Sequence, residues 1–169
     1  MNKNEIDGSS RILKSSLGEG AEVRENCTIH DSTVGEKCRI FEKVSLKKVL
    51  LADHVVINAG SYLEYVEVEE DVLIGPNCSI VGVFHQIFET GVEWADSWKR
   101  VIIRKKVFIG AGSVILPGVE IGESSVIGAG SVVTKSIPAF HICFGTPPNQ
   151  TIMSLKKWLG SIEEINSGR

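Results

Sequence analysis

The stretch VFIGAGSVILPGVEIGESSVIGAGSVVTK, residues 107 to 135, has an aliphatic side chain at every sixth position. The series runs Ile109, Ile115, Ile121, Ile127 and Val133. Six is neither the period of an α-helix nor the alternation of a single strand. Glycine at this density would also destabilise a helix by roughly 1 kcal/mol per residue. The spacing therefore indicates a repeating unit made of a short strand and a corner.

The same spacing organises most of the chain. Aliphatic residues stand at Leu17, Val34, Leu51 and Val68, and each is followed by two more at intervals of six. The fourth residue after each aliphatic is nearly always small or β-branched, and it shares a strand face with the next aliphatic. Gly and Asn recur one position earlier, where a tight corner needs φ > 0. Three such units close one coil, which predicts an all-β, triangular, parallel solenoid of about seven coils.

Two motifs resemble those of the hexapeptide-repeat acyltransferases. They are Ile-Gly-Ala-Gly-Ser-Val-Ile-Leu-Pro-Gly-Val at 109–119 and Val-Ile-Gly-Ala-Gly-Ser-Val-Val-Thr-Lys at 126–135, followed by Gly145-Thr146-Pro147. The resemblance covers residues 12–147 and implies a left-handed parallel β-helix, an exception to the right-handed crossover rule. It further implies a homotrimer that binds acyl-CoA in a cleft between neighbouring subunits.

The ends of the chain differ from the repeat region. Residues 1–11 form an N-terminal segment, and residues 12–147 form the β-helix domain. In the tail, 148–169, apolar residues recur at intervals of three and four, which predicts a short α-helix. Its plain interpretation is a packing helix that caps the solenoid or crosses to a neighbour.

The repeat is interrupted once, by a long loop at 84–101. Long loops in compact repeats are typically functional, although its aromatic residues also suit packing on a neighbouring subunit. His85 lies at its start, and the resemblance implies that a histidine here is the general base. Imidazole titrates near neutral pH and suits that task. Candidates to orient His85 or to contact the acceptor are Glu89, Glu93, Asp96 and Asn58.

The resemblance also implies residues that bind the acetyl-CoA co-substrate. Ala111 and Ala129 would present main-chain groups to the pantetheine arm, and Thr134 and Lys135 would lie near the CoA phosphates. Lys135 alternatively occupies only a solvated corner. Relatives often carry a basic residue shortly after the Gly-x-Pro motif, whereas this chain has Pro148 and Asn149; Lys156 or Lys157 is the candidate substitute.

The cysteines and histidines bear on the alternatives. Cys27, Cys38, Cys78 and Cys143 all fall at inward positions without metal-site spacing, so we expect reduced core residues rather than a nucleophile, disulfide or metal site. A γ-carbonic-anhydrase-like zinc enzyme shares the solenoid but needs several imidazoles, including a His-x4-His pair that is missing here. No metal is therefore expected. A non-catalytic assembly solenoid is the other alternative.

Composition excludes several classes. The net charge is −3 and the pI is near 5.8, without a basic cluster, which argues against nucleic acid as a partner. No run is long or apolar enough for a membrane span or a signal peptide, so we expect a cytoplasmic protein that does not bind membranes.

The favoured function is transfer of an acetyl group to a hydroxyl or amine of a small polar acceptor, with a sugar or nucleotide-sugar preferred.

Overall fold

The computed structural model describes residues 3–167, excepting the side chains of residues 93–95 and 164–167. Three parallel β-sheets wind around one apolar core in about eight turns, and a single α-helix follows. This confirms the predicted all-β solenoid. No helix in the described ranges has the length and apolar content to cross a bilayer.

Each coil contributes one strand to each sheet, and strands are numbered in chain order. Sheet A comprises β1 Glu5–Ile6, β4 Glu22–Val23, β7 Arg39–Ile40, β10 Val56–Ile57, β13 Leu73–Ile74, β18 Phe108–Ile109, β21 Val126–Ile127, β23 His141–Phe144 and β24 Thr151–Ser154. Sheet B comprises β2 Arg11–Leu13, β5 Thr28–His30, β8 Ser45–Lys47, β11 Tyr62–Glu64, β14 Ser79–Val81, β19 Val114–Ile115 and β22 Val132–Val133. Sheet C comprises β3 Ser16–Leu17, β6 Thr33–Val34, β9 Leu50–Leu51, β12 Val66–Val68, β17 Val101–Ile103 and β20 Glu120–Ile121.

Two further elements complete the fold. An antiparallel hairpin, β15 Val83–Phe88 and β16 Gly91–Trp98, leaves the solenoid between β14 and β17. After the last coil, β24 pairs antiparallel with β23, and α1 Leu155–Ser167 follows. The tail thus closes one end of sheet A with an extra strand before it becomes helical.

The six-residue column lies in the core as the spacing predicts. Ile109, Ile115, Ile121, Ile127 and Val133 are all buried. Ile109 pairs with Ile127, Ile115 with Val133 and Ile121 with Ile137 in the following coil. Corner residues take positive φ, which Gly and Asn tolerate best. The corners anticipated from the sequence are all of this kind: Gly20, Asn26, Gly60, Asn77, Gly112, Gly118 and Gly130.

The small residues beside the core column contact main-chain carbonyl oxygens at the corners. Ser61 Oγ donates to the carbonyl oxygen of Gly75 at 3.0 Å, and Cys78 Sγ lies 3.3 Å from the carbonyl oxygen of Gly110. A buried carbonyl left without a donor is costly, so these contacts stabilise coil stacking. The four cysteines are buried and free, as their inward register predicts.

Several boundaries differ from those predicted from the sequence. Parallel pairing begins at Glu5, which pairs with Glu22 in the next coil, so the solenoid includes part of the segment assigned to residues 1–11. Sheet A accordingly counts about eight coils rather than about seven. The interruption, expected as a loop at 84–101, is the hairpin at 83–98, and the tail starts with β24 rather than with the helix.

Candidate active site

The hairpin is inserted at a corner without disturbing the stack of coils. Gly82 donates its N–H to the carbonyl oxygen of Glu64 below it, as other corner residues do. Lys99 then donates to the Gly82 oxygen at 2.8 Å and accepts from Gly118 at 3.0 Å in the following coil. Gly82 and Lys99 therefore share one corner, between β14 and β17, and the strands β15 and β16 project from between them.

Aromatic and cationic side chains hold the hairpin base against the solenoid. The Trp98 and Tyr65 rings meet edge to face at a centroid distance of 5.2 Å. The ammonium of Lys48 lies 3.9 Å from the centroid of the Trp98 ring. Arg100 covers Tyr65 at 4.7 Å and forms an ion pair with Glu67 at 3.1 Å. Such contacts each stabilise by about 0.5 to 1.5 kcal/mol, which fixes the direction of the hairpin.

The two faces of the hairpin point to different parts of the solenoid. His85 pairs with Asp96 and Val83 with Trp98, so strand alternation puts His85, Asp96 and Trp98 on one face. Trp98 directs that face toward the earlier coils. On the opposite face, Phe84 borders a cavity of about 290 Å³ shared with Leu116, Pro117, Thr134 and Lys99, which belong to later coils and to the hairpin base.

His85 and Asp96 face each other across the two strands of the hairpin. Nδ1 of His85 lies 3.9 Å from Oδ1 of Asp96, with side-chain exposures of 43% and 55%. The distance exceeds that of a hydrogen bond but is short enough for the carboxylate to attract an imidazolium. The hairpin register brings these two side chains together, and a β-bulge follows directly, between His85 and Gln86.

The other orienting candidates lie elsewhere. Glu89 is exposed at the hairpin turn. The side chain of Glu93 lies outside the described residues, although its backbone pairs with Gln86. Asn58 occupies the corner between sheets A and B, where its Nδ2 donates to the carbonyl oxygen of Ile74 at 2.9 Å. A position at a corner accounts for a polar residue there, so Asn58 is a structural corner residue. It lies at the start of the sheet B strands, whereas the hairpin projects from their opposite end.

A buried polar network beneath the hairpin was missed by sequence reasoning. Glu64 is only 8% exposed, accepts from the Tyr62 hydroxyl at 2.5 Å, and forms an ion pair with Lys47 at 2.7 Å. Burial alone would raise the pKa of Glu64, but the hydrogen bonds from Lys47 and Tyr62 outweigh it and lower that pKa. Burial and the bond to Glu64 raise the pKa of Tyr62 to about 12. The interval of seventeen residues between Lys47 and Glu64, one coil, was the available signal.

The residues expected to bind CoA lie at the two corners that flank sheet B. Ala111 and Ala129 are exposed at the corner between sheets A and B, one coil apart, with Gly130 N–H donating to the Ala111 oxygen at 2.8 Å. Within residues 3–167, the N–H groups of these two alanines donate to no acceptor. Thr134 and Lys135 are exposed at the corner between sheets B and C, above the hairpin.

The remaining histidines are distributed over the solenoid. His54 occupies a corner with positive φ, and its Nδ1 lies 3.6 Å from Oδ1 of Asp71. Nδ1 of His141 lies 2.8 Å from the carbonyl oxygen of Ala139. Nε2 of His30 is buried without a hydrogen-bond partner in the described structure. In the part of the chain that is described, no group of three or more His, Cys, Asp or Glu side chains is arranged to hold a metal ion.

Two models of known protein families match parts of the chain. Residues 100–135 match the family model described as bacterial transferase hexapeptide (six repeats), and residues 65–83 match the hexapeptide repeat of succinyl-transferase. The fold and these repeats define a solenoid protein built from hexapeptide units. Both family models are built from the hexapeptide repeat that the motifs of this chain resemble, and together they cover about a third of it.

Three individual proteins illustrate the similarity. A galactoside O-acetyltransferase of Lactococcus lactis is 47% identical over 77 residues, which is 45% of this chain and 37% of the relative. A hexapeptide-repeat acetyltransferase of Vibrio cholerae, solved with acetyl-CoA, superposes with a TM-score of 0.64 at 26% identity, covering 71% of this chain and 68% of that one. An N-acyltransferase of Bacillus cereus, solved with dTDP-4-amino-4,6-dideoxyglucose and coenzyme A, shares the fold with a TM-score of 0.72 at 22% identity, covering 93% and 92%. The chain thus spans well under half the length of the curated relative.

Proposed function

We propose that the protein is a CoA-dependent acetyltransferase that acts on a hydroxyl or amine of a small polar acceptor. A sugar or nucleotide-sugar is the preferred acceptor, since the similar proteins are named for a galactoside or were solved with a nucleotide-linked amino sugar. The observation that carries the proposal is the hairpin register, which sets His85 3.9 Å from Asp96 on the edge of a hexapeptide solenoid.

His85 acts as the general base in this mechanism. Its Nε2 takes the proton of the acceptor while the acceptor oxygen or nitrogen attacks the thioester carbonyl carbon. The C–S bond then breaks, and the departing CoA sulfur receives the proton from the imidazolium. Asp96 faces Nδ1, where a carboxylate favours the tautomer with its proton on Nδ1 and stabilises the imidazolium that forms.

The co-substrate is held by main-chain groups and one cation. The N–H groups of Ala111 and Ala129, which donate to no acceptor within residues 3–167, suit the amide oxygens of a pantetheine arm that runs along the corner column. The ammonium of Lys135 suits the CoA phosphates, and Thr134 lies beside it. Each of these residues is exposed at a corner of the solenoid, so a ligand could contact them without a change in the coils.

A homotrimer completes the proposed site. Thr134 lies on one side of the hairpin, and His85 faces the other side. A cleft shared by two copies would therefore bring the His85 base of one copy together with the CoA-binding surface of the other. Leu73 and Phe108 support such contacts, because they pair on the outer face of sheet A while 39% and 43% exposed. Light scattering should give the mass of three chains; a monomer at micromolar concentration would remove the intersubunit cleft.

The activity itself is tested with a panel of acceptors. Sugars, nucleotide-sugars and amines are each incubated with acetyl-CoA, and free thiol release is measured against a no-acceptor control. The expected result is thiol release with at least one sugar-type acceptor, accompanied by an acetylated product of matching mass. Acetyl-CoA binding without transfer to any member of the panel would contradict the proposed acceptor class.

A further inference from the structure

The cavity of about 290 Å³ at the hairpin base combines apolar walls with two polar residues. It is lined by Phe84, Lys99, Leu116, Pro117 and Thr134. Small-molecule sites typically have this composition, with aromatic and aliphatic walls and a few polar groups that fix the ligand, and this volume is near the lower end of their range. The cavity therefore has the size and the lining of a site for one small molecule that contains a ring.

The side chain of Lys99 lies along the wall of this cavity and brings a positive charge to it. Its ammonium is 5.4 Å from the centroid of the Phe84 ring. Its stem lies against Gly118, where an added Cβ would be 3.4 Å from both Cβ and Cδ of Lys99. Among the side chains that the structure describes, no carboxylate lies within 4 Å of this ammonium. A cation near an aromatic ring keeps its N–H donors, so Lys99 can still bind an anion.

The corner between sheets B and C is basic, although the chain as a whole has a net charge of −3. In the segments that join the strands of these two sheets, the hairpin aside, the lysines are Lys14, Lys48, Lys99 and Lys135, and all are exposed. The one acidic residue described in the same segments is Asp31. Positive charge gathered on one surface attracts anionic ligands, and the cavity lies within this surface.

We propose that the cavity binds a phosphate group of the acceptor, so that the acceptor is a sugar phosphate or nucleotide-sugar rather than a neutral sugar. An ammonium and a hydroxyl, as Lys99 and Thr134 provide, suit a phosphate, whereas arginine matches a planar carboxylate better. The ring of Phe84 offers an apolar face to the attached ring of the ligand. This inference rests on the proposed function, because it takes the hairpin as the part of the molecule that faces the acceptor.

Coenzyme A also carries phosphates, so its site has to be distinguished from this one. Lys135 is the residue proposed to bind them. Gly118 donates to the Lys99 oxygen from the next coil, and Lys135 lies one coil further along the same corner. At the usual spacing of neighbouring strands, the backbones of Lys99 and Lys135 are therefore about 10 Å apart. That separation leaves room for the phosphates of both substrates at the same time.

The first test measures binding by titration calorimetry, with UDP-glucose, glucose-1-phosphate and glucose as probes and no acetyl-CoA. Both phosphate compounds should bind at least tenfold more tightly than glucose. Lys99→Met keeps the stem and should weaken both about ten- to a hundredfold, the scale for losing a hydrogen bond to a charged group. Lys99→Arg should stay within a few-fold of the wild type. The matched control is Lys37→Met, at an exposed corner between sheets C and A, which should change nothing.

A second series of titrations separates the acceptor from the co-substrate. Lys99→Met should leave the Kd of CoA unchanged, and saturating CoA should not displace glucose-1-phosphate. Lys135→Met should weaken CoA and keep glucose-1-phosphate within a few-fold. Leu116→Trp fills the cavity without a change in charge and should abolish binding of glucose-1-phosphate. Leu116 is 38% exposed, so the larger side chain should not unfold the coils, which a melting curve checks.

The outcomes distinguish this inference from the proposed function. Displacement of glucose-1-phosphate by CoA would overturn the inference, because it would assign the cavity to the co-substrate. Equal affinity of the folded wild type and Lys99→Met for glucose-1-phosphate would overturn it as well. If neither phosphate compound binds while a neutral sugar is acetylated, the inference fails and the proposed function stands. If both bind through Lys99 while no acceptor is acetylated, the proposed function fails and the phosphate site stands.

Discussion

The ammonium of Lys48 lies 3.9 Å above the ring of Trp98, so a residue of the solenoid and a residue at the foot of the hairpin are in direct contact. The same indole and the Tyr65 ring meet edge to face. The direction in which the hairpin projects, and with it His85, therefore depends on the packing of Trp98 at the hairpin base. This contact is the natural place to disturb the candidate site without touching the imidazole.

Trp98→Ala should loosen the hairpin while the solenoid stays folded. Loss of the ring contact and of the cation above it removes about 1 to 2 kcal/mol of local stabilisation, all of it at the hairpin base. Amide exchange should increase in 83–98 and remain unchanged in the coils. Phe88→Ala, at the exposed hairpin end, is the control. Equal exchange in both variants would show that Trp98 does not fix the hairpin.

His85→Ala should lower turnover by roughly two to four orders of magnitude, the scale for losing a general base. Acetyl-CoA binding should be nearly unchanged, because the residues proposed to hold the co-substrate lie in other coils. His85→Asn should be equally inactive, since an amide accepts no proton. Turnover within a few-fold of wild type in a folded His85→Ala protein would move the search for a base elsewhere.

Gly82→Ala should destabilise the protein by several kcal/mol, as a forced backbone shift typically does. A Cβ at this corner would lie 2.5 Å from the carbonyl oxygen of Tyr65 and 2.8 Å from that of Lys99. Gly160→Ala is a matched control in the helix, where no atom lies within 4 Å. The control should be more stable by up to about 1 kcal/mol, the helix propensity difference. Chemical denaturation measures both, and a neutral Gly82→Ala would contradict the close coil approach.

Glu69 should make stability depend on pH. The Arg104 guanidinium at 2.8 Å, together with the Lys105 N–H at 2.9 Å, lowers the pKa of Glu69. Because the folded pKa is depressed, the stabilisation is present above the ordinary carboxyl range near pH 4 and is lost as pH falls through the folded value. Glu69→Gln should lower the free energy of unfolding at neutral pH and converge with wild type in acid. A constant difference at all pH values would contradict this coupling.

The four cysteines should resist thiol reagents in the folded protein. Burial raises the pKa of Cys27, Cys38, Cys78 and Cys143, which keeps them as thiols, and the thiolate is the reactive form. Labelling followed by mass spectrometry should be slow in the native state and rapid after denaturation. Fast native labelling of any one of them would show that its corner opens.

The core column was predictable because one physical rule generates it. Ile109 and Ile115 must meet the core at the same place in each strand, so burial imposes a period that can be counted in the sequence. The corner at Asn77 was predictable for the same reason, since positive φ restricts the residue type. Solenoid repeats encode their architecture locally, one unit at a time.

The hairpin and its polar contacts were less visible. Ile87 and Phe88 are exposed, so no buried face imposes an alternating pattern on β15, and the bulge after His85 shifts the register further. The pairing of His85 with Asp96 depends on that register. Lys47 and Glu64 were within reach of the 17-residue interval between coils, but a period read only from apolar residues leaves charged partners out.

The insertion point at Gly82 and Lys99 has a consequence for how such proteins diverge. Because Lys99 donates to Gly82 within the same corner, β14 and β17 are joined although the hairpin lies between them in the sequence. A segment of different length or composition inserted there would leave the solenoid's own hydrogen bonds intact. The hairpin proposed to face the acceptor could therefore be exchanged or altered without disturbing the coils that are proposed to bind CoA.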